Sequence, residues 1–190
     1  LSAMALNNDV SADTSGNLRG DSTEVALYVY ADEKKHNKND LHQTFPRIGE
    51  LPFDASRKCM STVHKTEEEA ILITKGAVDV LFQRLKKDEE QYIQDWMEKA
   101  DAMSAEGFRV LGYAIKKIPL SAQVEVDEKM ENELSFLGFA AMIDPEREEA
   151  KEAVKLCKQA GIVPVMITGD HPNTAKAIAA IAFNEQVLPI

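Results

Sequence analysis

Two β-prone runs, Lys58 to His64 and Ala70 to Thr74, flank the acidic turn Thr66 to Glu69. That pattern predicts an antiparallel hairpin, and a hairpin needs further strands or helices to cover it. The surrounding sequence supplies both. Strands are predicted near Arg47 to Phe53, over Phe108 to Lys116, and over the apolar run Phe136 to Ile143. Asp21 is placed to cap a helix reaching about Lys34 that carries Val25, Leu27 and Tyr28. Lys75-Gly76-Ala77 opens a helix through about Leu85. Asp88 caps another, in which Tyr92, Trp96, Ala100 and Met103 form one buried stripe and Gly107 ends the run. Residues 1–20 are polar and rich in Gly, Ser and Asn, which predicts a loose lead-in. Lys34 to Asp40 reads as a charged loop, and Ser121 to Glu133 as a charged stretch with a short helix at most.

The texture changes after residue 143. Asp144-Pro145 is a strong helix start, Asp as N-cap and Pro at the first helical position. That helix should run to about Ala160, with Gly161 stopping it. Val163 to Ile167 then reads as a short buried parallel strand, Thr168-Gly169-Asp170 as a loop, and Pro172 as the start of another helix. Residues 1–143 are therefore expected to be α+β, an antiparallel sheet with packed helices. Residues 144–190 are expected to be an incomplete α/β piece. One parallel strand without partners cannot satisfy its backbone groups, so this piece should dock, rearrange or self-associate.

Composition narrows the function. The net charge of −10 disfavours nucleic acid or an anionic membrane surface as the main partner. No apolar run approaches the roughly 18–20 residues that cross a bilayer, and Leu1 to Leu6 does not read as a signal peptide. Cys59 and Cys157 lie far apart in apolar surroundings and read as reduced thiols rather than metal ligands. His36, His42, His64 and His171 are scattered, so no metal site is expected. There is no Gly-x-x-x-x-Gly-Lys-Ser/Thr loop, no His-Glu-x-x-His, no Cys-x-x-Cys and no Gly-x-Ser-x-Gly. No catalytic residue is assigned.

Six short segments remain. They are Gly20-Asp21-Ser22-Thr23-Glu24-Val25-Ala26-Leu27, Pro52-Phe53-Asp54-Ala55-Ser56-Arg57-Lys58-Cys59-Met60-Ser61, and Thr74-Lys75-Gly76-Ala77. Phe108-Arg109-Val110-Leu111-Gly112, Met142-Ile143-Asp144-Pro145-Glu146-Arg147, and Val165 to Ala175 follow. In content and order they resemble the nucleotide-binding domain and adjoining phosphorylation domain of P-type cation-transporting ATPases, calcium pumps above all. The resemblance covers most of residues 20–180. It implies that residues 1–143 form the nucleotide-binding domain and residues 144–190 part of a haloacid-dehalogenase-like phosphorylation domain.

Each segment has chemistry that suits the resemblance. Phe53 taken alone reads first as a core aromatic, because buried Phe is common; the resemblance makes it the ring that stacks on adenine. Lys75 is a compact cation, and Gly76 lets backbone approach a ligand; alone, it is as readily a solvated strand-end lysine. Glu24 suits the first turn of its helix in any case, and the resemblance has it accept from the adenine amino group. Lys58 is implied to lie near the nucleotide, with Arg57 structural. Arg109 faces away from Phe108 and Val110 and is implied to reach phosphate or ribose. Thr168, Gly169 and Asp170 follow a strand end, where α/β sheets bind ligands, and are implied to meet the terminal phosphate. Ala55 departs from a charged residue found in some relatives, so no phosphate contact is assigned there.

The family's nucleophile sits in Asp-Lys-Thr-Gly-Thr and its metal-holding carboxylates in Gly-Asp-Gly-x-Asn-Asp; neither segment occurs in these 190 residues. The resemblance thus implies a part of a pump that starts after the nucleophile and stops before the metal site, binding ATP without hydrolysing it. ATP is the implied ligand, as Mg-ATP in the parent enzyme. The implied partners are the pump's phosphorylation, actuator and transmembrane domains, and the implied location is the cytoplasmic side of an integral membrane protein. A haloacid-dehalogenase-type phosphohydrolase and a non-catalytic nucleotide-sensing module are the alternatives. The transported ion is not encoded here; calcium is preferred on resemblance alone.

Overall fold

The computed structural model describes residues 1–119, 126–143, 148–165 and 167. In chain order the elements are α1 (Ser2–Leu6), β1 (Ser11–Ala12), β2 (Leu18–Arg19), α2 (Ser22–Glu33), α3 (Lys38–Thr44), β3 (Arg47–Asp54), β4 (Cys59–Lys65), β5 (Glu69–Gly76) and α4 (Val78–Phe82). A 3₁₀ helix (Lys87–Tyr92), α5 (Ile93–Ala105), β6 (Arg109–Pro119), a second 3₁₀ helix (Glu128–Glu131), β7 (Ser135–Met142) and α6 (Glu148–Gln159) follow. By mutual contacts the chain divides into two units, Leu1–Met97 with Leu111–Ala140, and Glu98–Val110 with Ala141–Ile190.

The first unit is built on the predicted hairpin. β3 to β7 form one sheet in chain order, and β3–β4, β4–β5 and β5–β6 pair antiparallel. Met60, Lys75 and Tyr113 form one cross-strand row; Ser61, Thr74 and Ala114 form the next. Because side chains alternate along a strand, these two rows look into opposite faces of the sheet. The Lys75 face meets α1, α2 and α3: Lys75 reaches Asn7 and Glu24, and the His64 ring sits edge-on to His42, 5.7 Å between centroids. The Thr74 face meets α4 and the segment before β7. Phe82, Trp96, Phe136 and Phe139 interlock there, with Trp96 and Phe136 4.6 Å apart and Phe136 and Phe139 4.9 Å. Leu72, Val63 and Leu81 are fully buried.

The start of the chain is not a loose lead-in. In α1, Ala5 and Leu6 are buried, and the Asn7 amide then donates to the carbonyls of Met60 (3.3 Å) and Ile73 (2.7 Å). A polar run is ordered because its amides cap distant strand carbonyls, which composition cannot reveal. The expected loop Lys34–Asp40 also shortens. Asn37 accepts from the amides of Asn39 and Asp40 and starts α3, a helix without a buried residue and so without an apolar stripe to betray it. The helix after Ala77 stops at Phe82. Asp88 lies inside the 3₁₀ helix, not at a cap.

In the second unit, Gly107 takes φ +92° and turns the chain out of α5, its N–H donating to Ser104 O at 3.0 Å. Gly161, φ +74°, ends α6 as expected. The strand expected over Val163 to Ile167 does not form among the described residues: Val163, Val165 and Ile167 are 82%, 70% and 93% exposed. An apolar run becomes a parallel strand only where neighbouring strands take its backbone groups. The helix start Asp144–Arg147, the loop Thr168–Asp170 and the helix from Pro172 lie outside the described residues. Among the described residues, no helix is long and apolar enough to cross a membrane.

Candidate functional site

The Lys75 face carries the first part of the site. Lys75 stands next to last in β5 at 7% exposure, with its ammonium on the Glu24 carboxylate and on Asn7 O at 2.8 Å. Glu24 is delivered by the first turn of α2, which Asp21 caps by accepting from the Thr23 amide at 2.9 Å. The other Glu24 oxygen accepts from the Asp9 amide at 2.8 Å, and Asn8 donates to the Glu24 carbonyl. Two predicted site residues therefore meet, and each is the other's partner. Buried polar atoms beside them stay unmatched, namely Asn7 Oδ1 and the Tyr113 hydroxyl. Burial first, and the Glu24 charge second, push the Tyr113 pKa up.

Gly76 is explained by its surroundings. A Cβ there would lie 2.5 Å from Lys58 O and 2.6 Å from Cys59 Cβ. The close approach that sequence suggested for a ligand is made to the chain's own β4.

The β3–β4 connection carries the second part. Leu51 pairs with Ser61 and Asp54 with Cys59, so Pro52 and Phe53 together oppose the single residue Met60. This is a bulge on an edge strand, a device that re-aims a side chain, and Pro52 is tolerated there because an edge residue need not donate to a ladder. Phe53 is 65% exposed, whereas Phe82 is 5% exposed. The turn behind it is tightly tied. The Asp54 carboxylate accepts from the amides of Ser56 (2.9 Å) and Arg57 (3.0 Å) and from the Ser56 hydroxyl, which hold its pKa low. Lys58 adopts φ +49°, donates its N–H to Asp54 O at 2.7 Å, and lies 3.9 Å from Asp79.

Sequence reasoning missed the centre on the Thr74 face. Glu131 is fully buried and accepts from Arg57 Nη1 (2.6 Å), Ser61 Oγ (2.6 Å), Arg84 Nη1 and the Cys59 thiol (3.5 Å). Burial works to raise its pKa, but the hydrogen bonds from Ser61 and Arg57 and the Arg57 charge prevail, and the carboxyl stays below its ordinary range. Burial, then the Glu131 charge, push the Cys59 thiol up to about 11, so it stays protonated and donates. No local signal marks Glu131, one acid in a charged stretch. Arg57, which the resemblance implied to be structural, spends its guanidinium on Glu131 and on Pro52 O.

Arg109 opens β6 in an exposed position of the second unit. Thr168, Gly169 and Asp170 lie outside the described residues.

A family model described as P-type ATPase, cytoplasmic domain N, matches residues 1–149. The chain belongs to the P-type ATPase family. Among relatives of this P-type ATPase domain, calcium-transporting ATPase 1 of Lactococcus lactis is 41% identical over 188 residues, covering 94% of this chain and 21% of that protein. Calcium-transporting ATPase 1 of Bacillus cereus is 44% identical over 188 residues, with the same coverage of 94% and 21%. A calcium-transporting ATPase of Listeria monocytogenes is 37% identical over 180 residues, 90% of this chain and 20% of that protein. The chain spans about a fifth of the length of these relatives.

Proposed function

We propose that this chain is the ATP-binding part of a P-type pump that moves cations, calcium before others because the relatives above are named for it. Residues 1–143 are the nucleotide-binding domain and residues 144–190 belong to the phosphorylation domain. The parent protein forms an aspartyl phosphate on a residue outside this sequence, and its phosphorylation, actuator and transmembrane domains are the chain's partners at the cytoplasmic side of a membrane. Phe53 carries the reading. A large aromatic held 65% exposed by a bulge, with Lys58 in the same turn, offers a ring face to adenine and a cation to what adenine bears. Glu24 and Lys75 form the polar wall, a carboxylate for the adenine amino group and an ammonium paired with it. Arg109, Thr168, Gly169 and Asp170 are assigned to ribose and phosphates.

Half of a two-domain cleft leaves much of its ligand wet, so affinity should be near roughly −4 to −5 kcal/mol. Titrating ATP and AMP while following amide shifts tests this. Saturable shifts at Phe53 and Lys58, weakened alike for both nucleotides by Phe53→Ala, and no hydrolysis are expected. Absence of saturation at millimolar ATP, or turnover that co-purifies with the chain, overturns the reading.

A further inference from the structure

The turn that presents Phe53 is tied to the rest of the chain at two residues: Lys58, whose carbonyl accepts from the Ala77 N–H at 3.0 Å and whose ammonium lies 3.9 Å from Asp79, and Arg57, which pairs with Glu131 and has Glu128 at 3.7 Å. The Asp54 contacts all stay within residues 54–58. Arg57 reaches further: Nη2 donates to Pro52 O, inside the bulge, at 2.6 Å, while Nη1 donates to Glu131, 74 residues on, at 2.6 Å. A guanidinium is planar with donors in a fixed fork. Fixing Nη1 therefore fixes where Nη2 meets the Pro52 carbonyl, the residue before Phe53. Glu131 is itself held on every side. Ser61 and Arg84 hold it, and its segment is docked on the residues that follow α4 through Lys86 N to Leu134 O (2.9 Å) and Leu134 N to Arg84 O (3.0 Å).

We propose that Glu131 is a positioning residue for nucleotide binding: through Arg57 it sets the Pro52–Phe53 bulge and so aims the adenine-facing ring. The proposal rests on the reading of Phe53 as the stacking residue. Loss of the Glu131 charge would leave the Arg57 and Arg84 cations facing one another, release Arg57 toward water, and free the bulge to relax. Neither Glu131 nor Arg84 touches nucleotide.

The test is a double-mutant cycle on the full 190-residue chain, with ATP and AMP affinities read from amide shifts. Glu131→Gln is expected to weaken both nucleotides by the same factor, about fivefold, and to move the Phe53 amide resonance in the free protein. In a Phe53→Ala background, the same Glu131→Gln change is expected to leave affinity unaltered, because there is no ring left to aim. A merely structural role gives equal losses in both backgrounds, and that outcome overturns the proposal. Should Glu131→Gln fail to fold, Arg57→Lys takes its place: it retains a cation for Glu131 but cannot also reach Pro52 O, and is expected to weaken nucleotides in the same non-additive way. Wild-type affinity in Arg57→Lys overturns the proposal. If the unmutated chain binds ATP and Phe53→Ala does not weaken it, the assignment of Phe53 falls, and with it the aiming role. If Phe53→Ala weakens binding but the cycle is additive, only the role of Glu131 falls.

Discussion

Thr74 and Lys75 are neighbours on β5, yet they look into two buried charge centres built on opposite principles. On the Thr74 face, Glu131 is wholly enclosed and each of its oxygens is matched by an arginine. On the Lys75 face, Lys75 and Glu24 also pair, with side chains 8% and 14% exposed, but Asn7 Oδ1 and the Tyr113 hydroxyl beside them have no partner. The first network is closed and the second is open. A closed network rigidifies, and breaking one member strands the rest. An open one keeps polar capacity in reserve, which suits the nucleotide-facing wall proposed above. The difference teaches that two buried ion pairs on neighbouring residues of one strand can differ in how fully the polar atoms around them are matched.

The largest expected effect is in the closed centre. Glu131→Ala removes the anion that two arginines share, leaving Arg57 only Glu128 at 3.7 Å, and should destabilise the chain by about 3–5 kcal/mol, the cost of orphaning buried charge. Urea unfolding measures it. A loss under about 1 kcal/mol would mean water reaches Arg57 and Arg84 and the centre is not closed. The same centre should show in acid. Its carboxyl has a depressed pKa when folded, so its stabilisation is full above the unfolded value of about 4.3 and is lost as pH falls through the folded value, where the unfolded chain binds more protons. Glu131→Gln should flatten that part of the stability profile. An unchanged acid limb would assign acid sensitivity to other carboxylates.

Lys75→Met should cost less, about 2 kcal/mol, since it removes two charge-assisted hydrogen bonds but leaves Glu24 with the Asp9 amide and some solvent. It also sharpens the meaning of openness. With two of its three donors held by Glu24 and Asn7 O, Lys75 is tied to the chain itself in this arrangement, so Lys75→Met should weaken adenosine and ATP by similar factors. A loss confined to ATP would show that the lysine leaves Glu24 for phosphate when nucleotide arrives. Calorimetry with both ligands separates the two.

What was legible in the sequence follows the same division between local and distant partners. The β4–β5 hairpin, the Asp21 cap and the Gly107 stop are written in adjacent residues, and each stands where expected. Glu24, Phe53, Lys58 and Lys75 could be proposed as a set because short motifs carry them, and the structure pairs Glu24 with Lys75. Asn7 and Glu131 could not, because their partners lie 47 to 74 residues away and nothing nearby distinguishes them. α3 hid because its order comes from Asn37 capping, without a buried face. Val163 to Ile167 erred the other way: its apolar pattern states a preference that only neighbouring strands can realise.

The smallest expected effect tests whether the open centre depends on helix α2 alone. Asp21 accepts from the Thr23 amide with extended backbone, φ −62° and ψ 144°, and so satisfies one of the N–H groups that a helix start leaves unpaired. Asp21→Ala should cost about 1 kcal/mol. The cost should be local, because the first turn it loosens holds Glu24, and Glu24 in turn holds the Asp9 amide and Lys75. Hydrogen exchange should therefore quicken at Val25, whose N–H donates to Asp21 O, and at Asp9. Exchange at Ser61 and Leu134 should stay as before, since the Glu131 centre reaches nothing on α2. Faster exchange on both faces would mean that the sheet couples the two centres through Thr74 and Lys75. The contrast between them would then be one of degree, set by how firmly each side is closed.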